Sequence, residues 1–222
     1  MNVIVFASRK GGSGKSTLAA HLATHAHKPN RPCLLIDADP QGSLTLWQQL
    51  RGTGEPPLKT ATRGIGEIIK AAKDEYAWAL VDTPPNMSPI VTDAIRAATL
   101  IVIPARPSLF DLSAVKETID FARHFRKPYA VVLNAAPSKR DETESPIVTK
   151  AREALAKFPV WGGQITARQH FSLSLISGEG VKEFAADSQA ASEMARLWAA
   201  IEKSVKAIHG EYAGATMHKA AA

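Results

Sequence analysis

Ser8-Arg9-Lys10-Gly11-Gly12-Ser13-Gly14-Lys15-Ser16-Thr17 separates two segments of different character. Before it, Val3-Ile4-Val5-Phe6-Ala7 is a continuous apolar run that reads as a buried strand. After it, Leu18, Ala19, Ala20, Leu22 and Ala23 read as a small-residue helix. Strand, glycine-rich turn and helix form the context in which a backbone loop cradles phosphate. Gly11, Gly12 and Gly14, with Ser13 among them, let the chain curl so that successive N–H groups face one anion, and the helix adds its positive end. Lys15 is placed to bridge terminal phosphates and the Ser16 hydroxyl, followed by Thr17, to hold Mg²⁺. The spacing G-x-x-x-x-G-K-[ST] asks for glycine at position 9, where Arg9 stands instead, and a second lysine, Lys10, occupies the mouth of the loop.

The 222 residues suffice for one α/β domain with a full core, or at most two small ones. Apolar content of 45% with 22% charged residues is ordinary for a globular protein. No apolar run reaches the length of a membrane span, and the start of the chain reads as core strand rather than signal peptide. The single Cys33 precedes Leu34-Leu35-Ile36 and is expected to pack in the core of a cytoplasmic protein, since one thiol makes neither an internal disulfide nor a metal cage. A net charge of +6 is compatible with nucleic acid, with an anionic surface, or simply with scattered surface lysines.

Further along, Cys33–Ile36, Ala77–Val81, Leu100–Ile103 and Tyr129–Leu133 are short apolar runs without alternation, as in strands covered on both faces. Helical patterns at Gly66–Lys73, Ser88–Ala97 and Asp111–Phe125 lie between them. The last of these carries Leu112, Val115, Ile119, Ala122 and Phe125 on one stripe. The expected architecture is a single-domain, doubly wound, mostly parallel sheet flanked by helices, with its ligand at the C-terminal ends of the strands. Pro137–Pro146 reads as a polar surface loop. Residues 1–209 are assigned to the domain and 210–222 to a flexible tail.

Three aspartates end strands on the phosphate side. Leu34-Leu35-Ile36-Asp37-Ala38-Asp39-Pro40-Gln41-Gly42 supplies two, and Trp78-Ala79-Leu80-Val81-Asp82-Thr83-Pro84-Pro85 the third. An acid after four apolar strand residues holds the Mg²⁺ shell in phosphate-loop nucleotidases, a role that fits Asp82 and similarly Asp37. Asp39, two residues on, is placed to orient an attacking water.

These segments, in this order, resemble the ParA/MinD family of deviant phosphate-loop ATPases. Ile103-Pro104 followed by Pro107-Ser108 and Phe110-Asp111 resembles the segment after the next strand in ParA proteins, and Asp-Pro-Gln-Gly favours the ParA branch. The resemblance implies ATP and Mg²⁺ as cofactors and a nucleotide-sandwich homodimer in which Lys10 reaches the partner's phosphates. It leaves Arg9 without a role. Asn134, closing Val131-Val132-Leu133, resembles the asparagine that reads adenine in several members, although strand-end asparagines also form turns.

In the last third, Ala190–Ile208 places Met194, Leu197, Trp198, Ile201, Val205 and Ile208 on one helical stripe and Arg196, Lys203 and Lys206 opposite. The stripe reads as core. In ParA relatives the ATP dimer binds DNA non-specifically through basic residues of the C-terminal part, so the resemblance makes Arg168, Lys182, Arg196, Lys203 and Lys206 the DNA-binding candidates. It implies a nucleoid-associated, cytoplasmic ATPase whose hydrolysis is stimulated by a ParB-like or other cargo adaptor, segregating plasmid, chromosome or protein cargo. The segment after Gly210 has no bulky apolar face, which disfavours a membrane-cycling MinD-like protein. No recognition-helix segment is read before the first strand, so operator binding of that kind is not expected. A metabolic ATP-dependent ligase or synthetase is the remaining alternative, and no residue set for a small-substrate pocket is apparent.

Overall fold

In the computed structural model, residues 1–141 and 143–220 are described, with side chains through residue 210. Six strands form one parallel sheet: β1 (Asn2–Phe6), β2 (Cys33–Asp37), β3 (Leu58–Thr60), β4 (Trp78–Asp82), β5 (Leu100–Ala105) and β6 (Tyr129–Leu133). Their order across the sheet is β3-β2-β4-β1-β5-β6. The first strand is therefore interior; the chain runs out to β2 and β3 on one side, returns with β4 between β2 and β1, and then crosses to β5 and β6 on the other. That reversal is where an open α/β sheet leaves a crevice at its carboxyl edge. The doubly wound, single-domain fold expected of the sequence is the fold observed.

Both faces of the sheet are buried, which is why its strands read as unbroken apolar runs. Val3, Val5 and Ala7 pack on one side with Leu34, Ile36, Ala79 and Val81. Ile4 and Phe6 pack on the other with Cys33, Leu35, Trp78 and Leu80. Helices α3 (Ile65–Ala72), α4 (Pro89–Ala97), α5 (Leu109–His124) and α6 (Pro146–Ala154) cover the first face. The second is covered by α1 (Lys15–Ala26), α2 (Ser43–Arg51), α7 (Gln169–Ile176), α8 (Val181–Phe184) and α9 (Gln189–Ala220). On α9, Met194, Leu197, Trp198, Ile201 and Val205 are buried as the stripe predicts. Trp198 sits 4.7 Å from Trp78 at 66°, an edge-on pair worth about 0.5–1.5 kcal/mol beyond its area.

The sequence pattern missed β3, a three-residue edge strand with only Leu58 half-buried, and the short helices α2, α6, α7 and α8. β3 is too short to show alternation, and each of these helices buries only one or two residues, too few to mark an apolar stripe. The segment assigned to a flexible tail from Gly210 falls partly within α9, where side chains beyond Gly210 lie outside the description, and residues 221 and 222 are outside the described residues altogether. Strand register does the positioning. Phe6 and Asp37 both lie opposite Asp82, so the phosphate loop, the Asp39 loop and the Asp82 turn all leave the sheet at one level. Thr83 locks this edge by donating its hydroxyl to the Phe6 carbonyl at 2.7 Å.

Candidate nucleotide site

The loop from Ser8 to Gly14 leaves the central strand and feeds α1. Gly14, the residue before the helix, has φ of 100°, and the helix carries neither a side-chain cap nor an acidic residue in its first turn. Its first N–H groups are therefore open to an anion. Asn134, buried at the end of β6, donates from Nδ2 to the Ser13 carbonyl at 2.7 Å. A Cβ on Gly14 would fall 2.0 Å from that same nitrogen. Glycine at 14 is thus required twice, by its backbone angle and by the amide packed on it.

Lys15 is buried, with Nζ 3.4 Å from the Ser8 carbonyl. Burial lowers its pKa, while the charges of Asp82 and Asp39 oppose the shift. Asp82 is fully buried, and among the described residues neither carboxylate oxygen has a hydrogen-bond partner. Desolvation pushes its pKa up to about 7, against the opposing pull of the Ser16 hydroxyl and Lys15. An orphaned carboxylate at the foot of a phosphate loop is a position that a hard cation satisfies. Ser16 and Asp82 therefore fit Mg²⁺. Among the described residues no cluster of three or more His, Cys, Asp or Glu is set to hold a metal.

Asp37 behaves differently. Its Oδ2 accepts from the Thr45 amide at 2.9 Å and the Thr45 hydroxyl at 2.8 Å, and its Oδ1 accepts from the Asp39 amide at 3.3 Å. The carboxylate read as a metal ligand is engaged by the protein's own donors, tying α2 to the loop that carries Asp39. Asp39 remains half-buried on the cleft wall. Arg9, left without a role by its sequence, turns away from the loop to pair with Glu117 on α5. Lys10 is exposed and leans over the Phe110 ring, Nζ 6.0 Å from the centroid.

A cleft of about 900 Å³ opens from the loop, a volume within the range of ligand sites. Gly11, Gly12, Gly14, Lys15, Ser16, Thr17 and Asp39 line one part, as expected. Its far wall holds Thr166, Arg168, Phe171 and Leu175, with Trp47 and Arg106 alongside, none of which sequence reasoning placed there. Residues 165–167 reach it because Ala136 donates to the Ile165 carbonyl at 3.0 Å and accepts from Ala167 at 2.8 Å, prolonging the sheet edge beyond β6. No spacing rule connects that segment to the loop.

The candidate DNA-contacting residues differ in their surroundings. Arg196, Lys203 and Lys206 are exposed on α9, and Lys182 is exposed on α8. Arg168 is bound to Glu193, Nη2 to Oε1 at 2.9 Å, and the buried Glu193 also accepts from the Thr166 amide at 2.9 Å. Its charge is engaged inside the protein, although Arg168 and Arg196 do line one depression with Lys139. Among the described residues no helix is long and apolar enough to cross a membrane.

A central strand, an uncapped helix start, a buried lysine and an orphaned aspartate define a nucleotide-binding domain of the phosphate-loop class. The chain belongs to the CobQ/CobB/MinD/ParA nucleotide-binding domain family, whose profile matches residues 4–181. It is 34% identical over 120 residues to the maintenance of carboxysome distribution protein A of Gloeobacter kilaueensis, covering 53% of this chain and 55% of that one. It is 39% identical over 117 residues to the protein ParA of Rhizobium radiobacter, covering 50% and 51%. The matches thus span about half the length of these two relatives. Among solved structures, apo McdA from Cyanothece superposes with a TM-score of 0.73 at 18% identity, covering 94% of this chain and 99% of that one. The resemblance to the ParA/MinD family is borne out.

Proposed function

We propose that this protein is an ATP-dependent positioning ATPase of the ParA type. ATP with Mg²⁺ fills the cleft, two copies close face to face over their nucleotides, and the dimer binds DNA without sequence preference. An adaptor protein stimulates hydrolysis, which releases the dimer and moves the cargo. The observation that carries this reading is the placement of Lys10. Its ammonium lies outside its own cleft, exposed beside Phe110 and in no ion pair among the described residues, whereas neighbouring Arg9 is tied to Glu117. A cation held at the mouth and unused within its own chain suits a second copy's phosphates, the geometry of an arginine finger supplied in trans.

In this reading Lys15 and the loop amides bind the β- and γ-phosphates, Ser16 and Asp82 hold the ion, and Asp39 orients the water. The bound ion supplies charge neutralisation of the phosphates. Relatives named for carboxysome distribution and for chromosome partitioning support a cargo of either the protein-assembly or the DNA class. Exposed Arg196, Lys203, Lys206 and Lys182 supply the phosphate contacts, while Arg168, held by Glu193, drops out of that set. One subunit offers few such residues, and a dimer doubles them along one duplex.

The test is retardation of non-specific duplex DNA with ATP, with ADP and without nucleotide. Binding is expected with ATP alone, falling steeply with salt, and weakened for all sequences alike by charge reversal at Arg196 and Lys203. Equal binding in all three nucleotide states, or doubly reversed protein that binds as wild type does, refutes the DNA part of the reading.

A further inference from the structure

We infer that Arg106 is a second phosphate-binding cation of the cleft, gripping the nucleotide's polyphosphate from within its own chain. This rests on the nucleotide-binding reading of the site and adds to it a residue that no motif marks. Arg106 immediately follows Ala105, the last residue of β5. The Ala105 carbonyl accepts from the Asn134 amide at 2.8 Å, and the Asn134 side chain in turn holds the Ser13 carbonyl. The backbone that launches Arg106 is therefore braced against the phosphate loop through two hydrogen bonds.

The guanidinium lies over the loop itself. Its Nη2 is 3.6 Å from where a Cβ on Gly12 would stand, and Gly12 has φ of 70°. The loop curls beneath the arginine with no side chain between them. Arg106 shares the cleft wall with Gly11, Gly12, Lys15 and Asn134. Among the described residues its side chain makes no ion pair and no hydrogen bond, and it is exposed to the solvent that fills the cleft. The other arginines at the edge of the site are committed, Arg9 to Glu117 and Arg168 to Glu193.

The chemistry matches a nucleoside triphosphate. Lys15 is a single, partly desolvated point charge, and the polyphosphate carries several negative charges even with a divalent ion bound. A planar guanidinium presents paired N–H donors that meet phosphate oxygens two at a time, which an ammonium cannot reproduce. Arg106 thus discriminates by phosphate count: the longer the polyphosphate, the more oxygens lie within its reach. It contributes nothing to nucleoside recognition.

Isothermal titration of the full chain with ATP, ADP and adenosine, comparing wild type with Arg106→Ala, Arg106→Lys and Lys15→Ala, tests this. Arg106→Ala is expected to lose roughly tenfold or more in ATP affinity, as removal of a charge-assisted bidentate contact does. The loss is smaller for ADP and absent for adenosine, and the melting temperature without nucleotide is unchanged. Arg106→Lys recovers only part of the loss. Inorganic tripolyphosphate titrated alone should bind the alanine variant more weakly than wild type, by about the same factor as ATP. ATP affinity equal to wild type in Arg106→Ala, with Lys15→Ala impaired, overturns the assignment of Arg106 and leaves the nucleotide site standing. Equal losses for adenosine and ATP also overturn it, since they report distortion of the cleft. Wild type without ATP affinity overturns both this inference and the proposed function.

Discussion

Replacing Asp82 by asparagine should make the nucleotide-free protein more stable, and the gain should depend on pH. The carboxyl is fully buried, neither oxygen has a partner among the described residues, and its pKa rises from 3.8 to about 7. Between those two values the folded state binds a proton that the unfolded chain has released, so stability falls as pH rises through the interval and stays low above it. At about 1.4 kcal/mol per pH unit, the ionised carboxylate costs roughly 4 kcal/mol above pH 7 and close to nothing near pH 4. Asparagine keeps the shape without the charge but brings a buried amide of its own. A net gain of about 2–4 kcal/mol at pH 8 follows, which for a domain of this size raises the melting temperature by roughly 5–10 °C. Thermal unfolding of both proteins at pH 8 and pH 5.5 is the assay, with the gap expected to narrow at the lower pH. Adding Mg²⁺ and ATP should reverse the order, because only the carboxylate gains from the cation. A less stable Asp82→Asn protein at pH 8, or a gap indifferent to pH, would show that the carboxylate is not held at a cost.

Lys10→Ala is expected to keep ADP affinity and stability to within about 0.5 kcal/mol, since the side chain is exposed. Light scattering with ATP should then show loss of the dimer, and turnover should fall with it; a normal dimer with normal turnover refutes the cross-chain role. Gly14→Ala forces a side chain to within 2.0 Å of the Asn134 amide at a φ of 100°. It should cost about 1–3 kcal/mol of stability and at least tenfold in ATP affinity. Asn134→Ala in the same protein should restore only part, because the backbone strain persists. Calorimetry and nucleotide titration check both, and a Gly14→Ala protein with wild-type values contradicts the packing of Asn134 on the loop.

The sequence by itself determined the first strand, the phosphate loop, the aspartates at positions 37, 39 and 82 and the α9 stripe. All of these are local: a glycine pattern, four apolar residues before an acid, a 3.6-residue period. Each declares itself within about twenty residues, because the physics that shapes it acts within one element. What each residue does was decided by the tertiary structure. Arg9 meets Glu117 across 108 positions, and Asn134 reaches Ser13 across 121. Asp37 and Asp82 look alike as strand-end acids, yet one is saturated by Thr45 and the other is left bare. Arg106 carries no signature, and it overlooks Gly12 only because β5 is hydrogen-bonded beside β1 in a parallel sheet. Strand order and register bring distant chain segments to one edge, and only there do burial and partner supply separate a ligand from a brace.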